Sequence, residues 1–298
     1  MCGIVGLFLK DKSLEPRLGA LLSEMLVSMT DRGPDSAGIA IYGGGAKNHS
    51  KITVQSPAPA KDFAGLDVEL GKKIGANVSA FVKSTHAVLD VPSDKVEAAR
   101  QAIAELRPDV RVMGAGEAIE IYKEVGLPAD VVKRFDVTGM TGSHGIGHTR
   151  MATESAVTTL GAHPFSTGPD ECLVHNGSLS NHNNLRRELI RDGMRFETEN
   201  DTEVAAAYLS SKIAHGLNLG EALESSVNDL DGFFTFVVGT KNGFGVVRDA
   251  IACKPAVLAE TDRYVAFGTE YRALANLPGI EDAKVWEPEP STVYFWEH

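Results

Sequence analysis

The sequence predicts an α+β fold of stacked antiparallel sheets with helical layers, on three observations. Short strand-like runs recur through the second half of the chain and cluster in pairs. Amphipathic helical patterns lie beside these clusters instead of alternating with single strands, which argues against a parallel α/β fold. The 298 residues, 43% hydrophobic and 23% charged, sit near globular averages and suffice for one large core or two ordinary ones.

The elements follow in order. Residues 4–9 are an apolar run that reads as a strand buried on both faces. Residues 14–29 carry Leu18, Leu21, Leu22, Met25, Leu26 and Met29 at helical spacing, and Asp31-Arg32-Gly33-Pro34 supplies the stop. A second buried strand covers 37–42 and ends at a triple glycine, 43–45. From Ile146 onward, strands are predicted at 172–175, 233–239, 244–248, 256–259, 264–269 and 292–296, with helices at 183–192, 201–215 and 219–230. Between about 47 and 140 the pattern changes to that of a small α+β insertion. It holds a strand over 79–91, an amphipathic helix over 93–106 with Ser93 as N-cap, and a short helix opened by Pro128. Two strand-like runs flank Gly114-Ala115-Gly116, which reads as a hairpin turn because alternating residues, not a helix, follow it.

Composition excludes several classes. With 29 Lys+Arg against 40 Asp+Glu, the net charge of −11 gives no diffuse attraction to phosphate backbones or anionic lipid. No apolar run approaches the ~18 residues of a membrane span. No basic region followed by a long apolar stretch opens the chain, so no signal peptide is expected. Cys2, Cys172 and Cys253 are too few and too scattered for a disulfide framework or a thiolate metal site. Cys172 and Cys253 read as small buried hydrophobes. The expectation is a soluble, cytoplasmic protein.

Cys2 is the most informative residue. Removal of Met1 leaves a cysteine bearing both a thiol and a free α-amine, whose reference pKa of about 7.7–8.0 suits general-base work near neutrality. Nucleophile and base then share one residue. Taken alone, a cysteine at position 2 is better explained by chance.

It does not stand alone. Cys2-Gly3-Ile4-Val5-Gly6 is followed by Arg32-Gly33-Pro34-Asp35-Ser36-Ala37-Gly38, Gly147-His148-Thr149-Arg150-Met151-Ala152-Thr153, Ala162-His163-Pro164-Phe165, Val174-His175-Asn176-Gly177 and Asn200-Asp201-Thr202-Glu203. In this order the segments resemble the motif series of the class II glutamine amidotransferases, whose glutaminase domain belongs to the N-terminal-nucleophile hydrolases. The segment from Arg248 to Leu274 resembles the end of the same domain, so the resemblance covers nearly all of 2–298 apart from the insertion. It implies a four-layer αββα sandwich.

The resemblance also assigns roles that the chemistry supports. A cysteine that cleaves an amide generates a tetrahedral oxyanion, and Asn176 and Gly177 are implied as its donors. A free amino acid presents a carboxylate and an ammonium. Arg150 has the planar fork that suits the first, Asp201 the anion that suits the second, and Thr153 is a further polar contact. Asp201 also falls where a helix begins, so capping and binding are both open to it. Arg32 and Asp35, on a strand-connecting loop, are implied to help position the N-terminus. His148, His163 and His175 fit no zinc spacing and read as packing histidines, so no metal is expected.

In this superfamily the glutaminase is usually fused to a domain that consumes the ammonia. Here the motifs run almost to His298, and the insertion is below the size of an ordinary catalytic domain. It carries no P-loop, no dinucleotide fingerprint and no cysteine for an iron–sulfur cluster. The resemblance therefore implies ammonia transfer to another polypeptide in a hetero-oligomer, as in the stand-alone amidotransferase subunits of glutamate-synthase-like and N-methylglutamate synthase complexes. Any flavin or iron–sulfur cofactor is expected only in the partner subunits, and the insertion is a candidate docking surface. Two other readings stay open: hydrolysis of a related γ-glutamyl amide, and a non-catalytic regulatory or scaffolding subunit that binds glutamate or glutamine.

Overall fold

The computed structural model describes residues 2–152 and 156–298. Strand β1 (Gly3–Leu9) leads through a short 3-10 turn to helix α1 (Leu18–Ser28), and β2 (Ser36–Tyr42) returns beside it. The next stretch holds β3 (His49–Gln55), α2 (Pro59–Asp62), α3 (Leu66–Ile74), β4 (Ser79–Lys83), β5 (His86–Pro92), α4 (Val96–Leu106) and β6 (Arg111–Gly116). Then come β7 (Ile119–Val125), α5 (Pro128–Arg134), β8 (His144–Arg150) and β9 (Cys172–Leu179). Three helices follow, α6 (His182–Arg191), α7 (Asp201–Ala214) and α8 (Leu219–Asp229). Strands β10 (Gly232–Gly239), β11 (Gly243–Arg248), β12 (Val257–Glu260), β13 (Tyr264–Gly268), β14 (Lys284–Trp286) and β15 (Val293–Glu297) complete the chain.

A seven-stranded sheet runs β14-β12-β13-β1-β8-β2-β7 and a four-stranded sheet runs β15-β11-β10-β9. Alternation along β1 explains how they stack. Val5, Leu7 and Leu9 point to one face, where α1 contributes Leu18, Leu22, Met25 and Leu26. Ile4 and Phe8 point to the other and meet Val174, Val237, Phe244 and Val246 of the second sheet. The second sheet's outer face (Leu173, Phe234, Phe236, Val238) packs on Val204, Ala205 and Tyr208 of α7 and Leu223 of α8. The result is a helix–sheet–sheet–helix sandwich, the α+β architecture expected. The strands flanking β1 are buried on both faces; β1 and β13 are accordingly near-continuous apolar runs without alternation, whereas β8 buries His144, His148, Thr149 and Arg150.

The stretch at 47–140, expected as one insertion, divides between two sheets. Residues 49–116 supply a third sheet, β4-β5-β3-β6, with α3 and α4 packed on it through Leu66, Leu70, Ala99 and Ile103. Strand β7 instead pairs antiparallel with β2 along its whole length and forms the edge of the first sheet. The glycines at 114–116 thus end β6, and the chain changes sheets after them; β6 and β7 are not a hairpin. The predicted strand over 79–91 is a hairpin, β4 and β5, reversing at Ser84 with φ +55°. Ser93 opens a 3-10 turn, not α4, whose N-cap is Lys95 without a side-chain bond. The predicted helix over 14–29 begins as a 3-10 turn containing Pro16 and is α-helical only from Leu18.

The sheet change at 117–119 rests on one carboxylate. Asp170 is buried, and its Oδ2 accepts from Glu117 N (2.8 Å) while Oδ1 accepts from Ala118 N (2.7 Å) and Ile119 N (3.0 Å). Replacing it by alanine strands three backbone donors, and loss of about 3 kcal/mol or more of unfolding free energy is expected. Urea denaturation of Asp170→Ala checks this; a midpoint equal to the parent's would show that water replaces the carboxylate without penalty.

Candidate active site

The candidate site sits where β1 begins. Because β1 is central, its first residues are held on both sides. Gly3 N donates to Thr149 Oγ1 of β8 (3.2 Å), and Ile4 N donates to Thr269 Oγ1 just beyond β13 (2.8 Å). Cys2 is half-buried, and its carbonyl accepts from Arg32 Nε (3.0 Å) and Asn176 Nδ2 (3.2 Å). The Met151 amide N–H points at Cys2 Sγ across 3.5 Å. Arg32 is itself fixed by an ion pair with Glu270. Asp35 accepts from Ala152 N through Oδ2 (2.8 Å), which ties the loop just before β2 to the chain leaving β8.

These groups open onto a cleft of about 680 Å³ lined by Cys2, Arg32, Arg150, Asn176, Gly177 and Asp201 among others. The structure thus brings together seven of the expected site residues, with Asp35 just behind the wall; Thr153 lies outside the described residues. Asn176 is aimed by two contacts: its Oδ1 faces His148 Nε2 (3.3 Å), and Nδ2 has one hydrogen on the Cys2 carbonyl. The second Nδ2 hydrogen makes only a long contact with Thr269 Oγ1 (3.4 Å), so one donor remains for a ligand beside Cys2. Gly177 sits at φ +148° on β9, where a Cβ would stand 1.9 Å from the Phe233 carbonyl, so no other residue fits.

Arg150 ends β8 with its side chain largely buried, and its Nη1 donates to Ala156 O (3.4 Å). Asp201 faces the cleft from the first turn of α7. Its Oδ2 accepts from Leu179 N (2.9 Å), and Oδ1 lies 3.8 Å from His175 Nδ1. The helix cap is the preceding residue: Asn200 accepts from Thr202 N (2.9 Å). Asp201 is therefore free of capping duty. Sequence reasoning missed Lys254 and His182, which also line the cleft, and Glu270, whose role as the partner of Arg32 is invisible without the fold.

The three histidines pack as a group. His148 and His163 stack at 4.1 Å between ring centroids, and Thr202 Oγ1 bridges His175 Nδ1 (3.1 Å) and His163 Nε2 (3.3 Å). Among the described residues, no group of three or more His, Cys, Asp or Glu side chains could hold a metal ion. Cys172 is buried, with its thiol pushed up to about 12 by burial, whereas Cys253, expected to be buried, is exposed on the loop after β11.

Burial also holds the rings neutral: His86, His144 and His148 are pushed down to about 3, and His163 and His175 are lowered too. An unfolded histidine takes a proton near pH 6.5 that these folded ones refuse. Stability is therefore present above that pH and lost as the pH falls toward the folded values, by up to about 1.4 kcal/mol per pH unit for each ring. Urea midpoints should already drop between pH 6.5 and 5, above the range of most carboxylates. A flat profile there would mean that the rings are protonated in the fold.

The glutamine amidotransferase domain family matches residues 148–276. The chain is 70% identical over 298 residues to the glutamine amidotransferase-like protein GlxB of Rhizobium meliloti (strain 1021), across 100% of this chain and 99% of that one. A relative from Methanothermobacter thermautotrophicus is 36% identical over 309 residues, across 99% of each chain. In fold, the chain is similar to the glutamine phosphoribosylpyrophosphate amidotransferase of B. subtilis, with a TM-score of 0.62 at 18% identity; 99% of this chain aligns to 47% of that structure. The sandwich is thus a fold shared with that amidotransferase. The chain belongs to the glutamine amidotransferase family, class II. Among the described residues no helix is long and apolar enough to cross a membrane.

Proposed function

We propose that the chain is a glutaminase that cleaves the γ-amide of glutamine through a thioester at Cys2 and passes the ammonia to a separate synthase subunit. The observation that carries the reading is the convergence on Cys2 of a thiol, an amide donor from Asn176 and a cleft bearing both Arg150 and Asp201. With Met1 removed, the α-amine takes the thiol proton, directly or through a water, as Sγ attacks the carboxamide carbon. Asn176 Nδ2 and Gly177 N–H meet the oxyanion. The C–N bond breaks, the amine returns its proton to the leaving nitrogen, and ammonia departs. Water then attacks the γ-glutamyl thioester to release glutamate and regenerate the thiol. Arg150 takes the substrate carboxylate and Asp201 its ammonium, while Arg32 holds the Cys2 carbonyl and with it the direction of Sγ.

The motif series favours transfer of the ammonia to a partner in a glutamate-synthase-like or N-methylglutamate synthase assembly whose other subunits carry flavin and iron–sulfur groups. The reading is tested by treating the purified chain with diazo-oxo-norleucine and mapping the adduct by mass spectrometry. An adduct on Cys2 of a chain lacking Met1 is expected. Label elsewhere, or none, overturns it. Co-purification from the native host identifies the partners, and a chain recovered alone would overturn the assembly.

A further inference from the structure

One wall of the cleft is the segment 156–165, which contributes Ala156, Thr158, Gly161 and His163 to the lining. It has almost no regular structure of its own. What fixes it lies on β7, outside the motif segments that carry the resemblance. Lys123, with only 4% of its surface exposed, donates through Nζ to the carbonyls of Leu160 (3.2 Å), Ala162 (2.8 Å) and Pro164 (3.2 Å). Its ammonium also stands 4.5 Å from the centre of the Phe165 ring. The next residue, Glu124, accepts from the Thr159 hydroxyl. Gly38, opposite Lys123 on β2, lets the segment lie flat on the sheet: a Cβ there would be 2.0 Å from His163 O.

An ammonium is buried at a cost unless all its donors are met, and here three carbonyls of one loop meet them. The arrangement therefore holds only while the loop keeps this course. The loop in turn bears on Arg150, whose Nη1 donates to Ala156 O and lies 3.6 Å from the position of a Cβ on Gly161. We propose that Lys123, assisted by Glu124, is a positioning residue for the amino-acid substrate: it clamps the 156–165 wall to β7 and thereby sets where the Arg150 guanidinium stands. The inference rests on the glutamine-hydrolysis reading. Glu124 extends the clamp to the third sheet, because its Oε2 also accepts from Thr85 Oγ1 (2.8 Å) in the β4–β5 turn.

The test compares the full chain with Lys123→Met, which keeps the buried stem and deletes the three donors. Thr159→Val, which removes only the bond to Glu124, is the milder second variant should the first fold poorly. For Lys123→Met, KM for glutamine should rise about tenfold or more while kcat changes less than about threefold. Hydrogen exchange at the amides of 156–165 should quicken by about tenfold while that of β1 and α1 stays as in the parent. Thr159→Val should move both readouts the same way by about threefold. Unchanged KM and unchanged local exchange would overturn the clamp, as would acceleration spread evenly over the molecule. A parent that releases no ammonia counts against the glutaminase reading instead, and the exchange measurement then decides the clamp alone.

Discussion

Cys2→Ser and Cys2→Ala will fold like the parent and lose at least about 1,000-fold in glutamine hydrolysis. Folding is spared because the side chain is half-buried and, among the described residues, its sulfur is hydrogen-bonded to the Met151 backbone alone, while the fixtures of β1 act through backbone groups at residues 2–4. Serine keeps the α-amine and the position but offers a hydroxyl far less acidic than a thiol, so the same base cannot generate the nucleophile. Ammonia release by coupled assay, beside denaturation curves for all three proteins, separates chemistry from stability. Substantial turnover by the alanine variant would dispose of a thioester mechanism.

The next largest effect is expected at Asn176. On the proposed mechanism, Asn176→Ala should lower kcat by about 100- to 1,000-fold, the loss that follows removal of one oxyanion donor, with KM little altered because Arg150 and Asp201 would still hold the amino-acid head. Cys2 O keeps Arg32 Nε, so the terminus stays in place. Asn176→Asp is the sharper probe. It is nearly isosteric, yet it turns a donor into an anion where negative charge develops, and its kcat should fall at least as far. If instead KM rises and kcat holds, Asn176 belongs to substrate binding and the oxyanion is met elsewhere.

Much of this site was legible before the fold. Cys2, Arg150, Asn176, Gly177 and Asp201 sit in short segments whose order along the chain carries the resemblance. What escaped was decided by contacts distant in sequence. The reversal at Ser84 uses a left-handed serine, with no glycine, proline or asparagine to mark it, so alternation reads straight through 79–91. The change of sheet after Gly116 depends on Asp170, more than fifty residues away, and its local sequence looks like an ordinary turn. Asn200 and Asp201 are both good N-caps, and only the distance to Thr202 N and Leu179 N tells which one caps. Lys123 resembles any solvent-facing charge on a strand. Its burial comes from the 160–165 segment crossing β7, which no local pattern announces.

The unequal settings of the three cysteine thiols furnish an internal control for any labelling study. A small, indiscriminate maleimide will find Cys253 on its open loop and leave Cys172 untouched behind Tyr42, whatever the state of the catalytic end. An electrophile shaped like an amino acid should ignore Cys253 and choose by recognition. The ratio of the two adducts therefore measures selectivity within one polypeptide, and exchanging Cys253 for serine leaves a chain in which any remaining fast-reacting thiol has a single address.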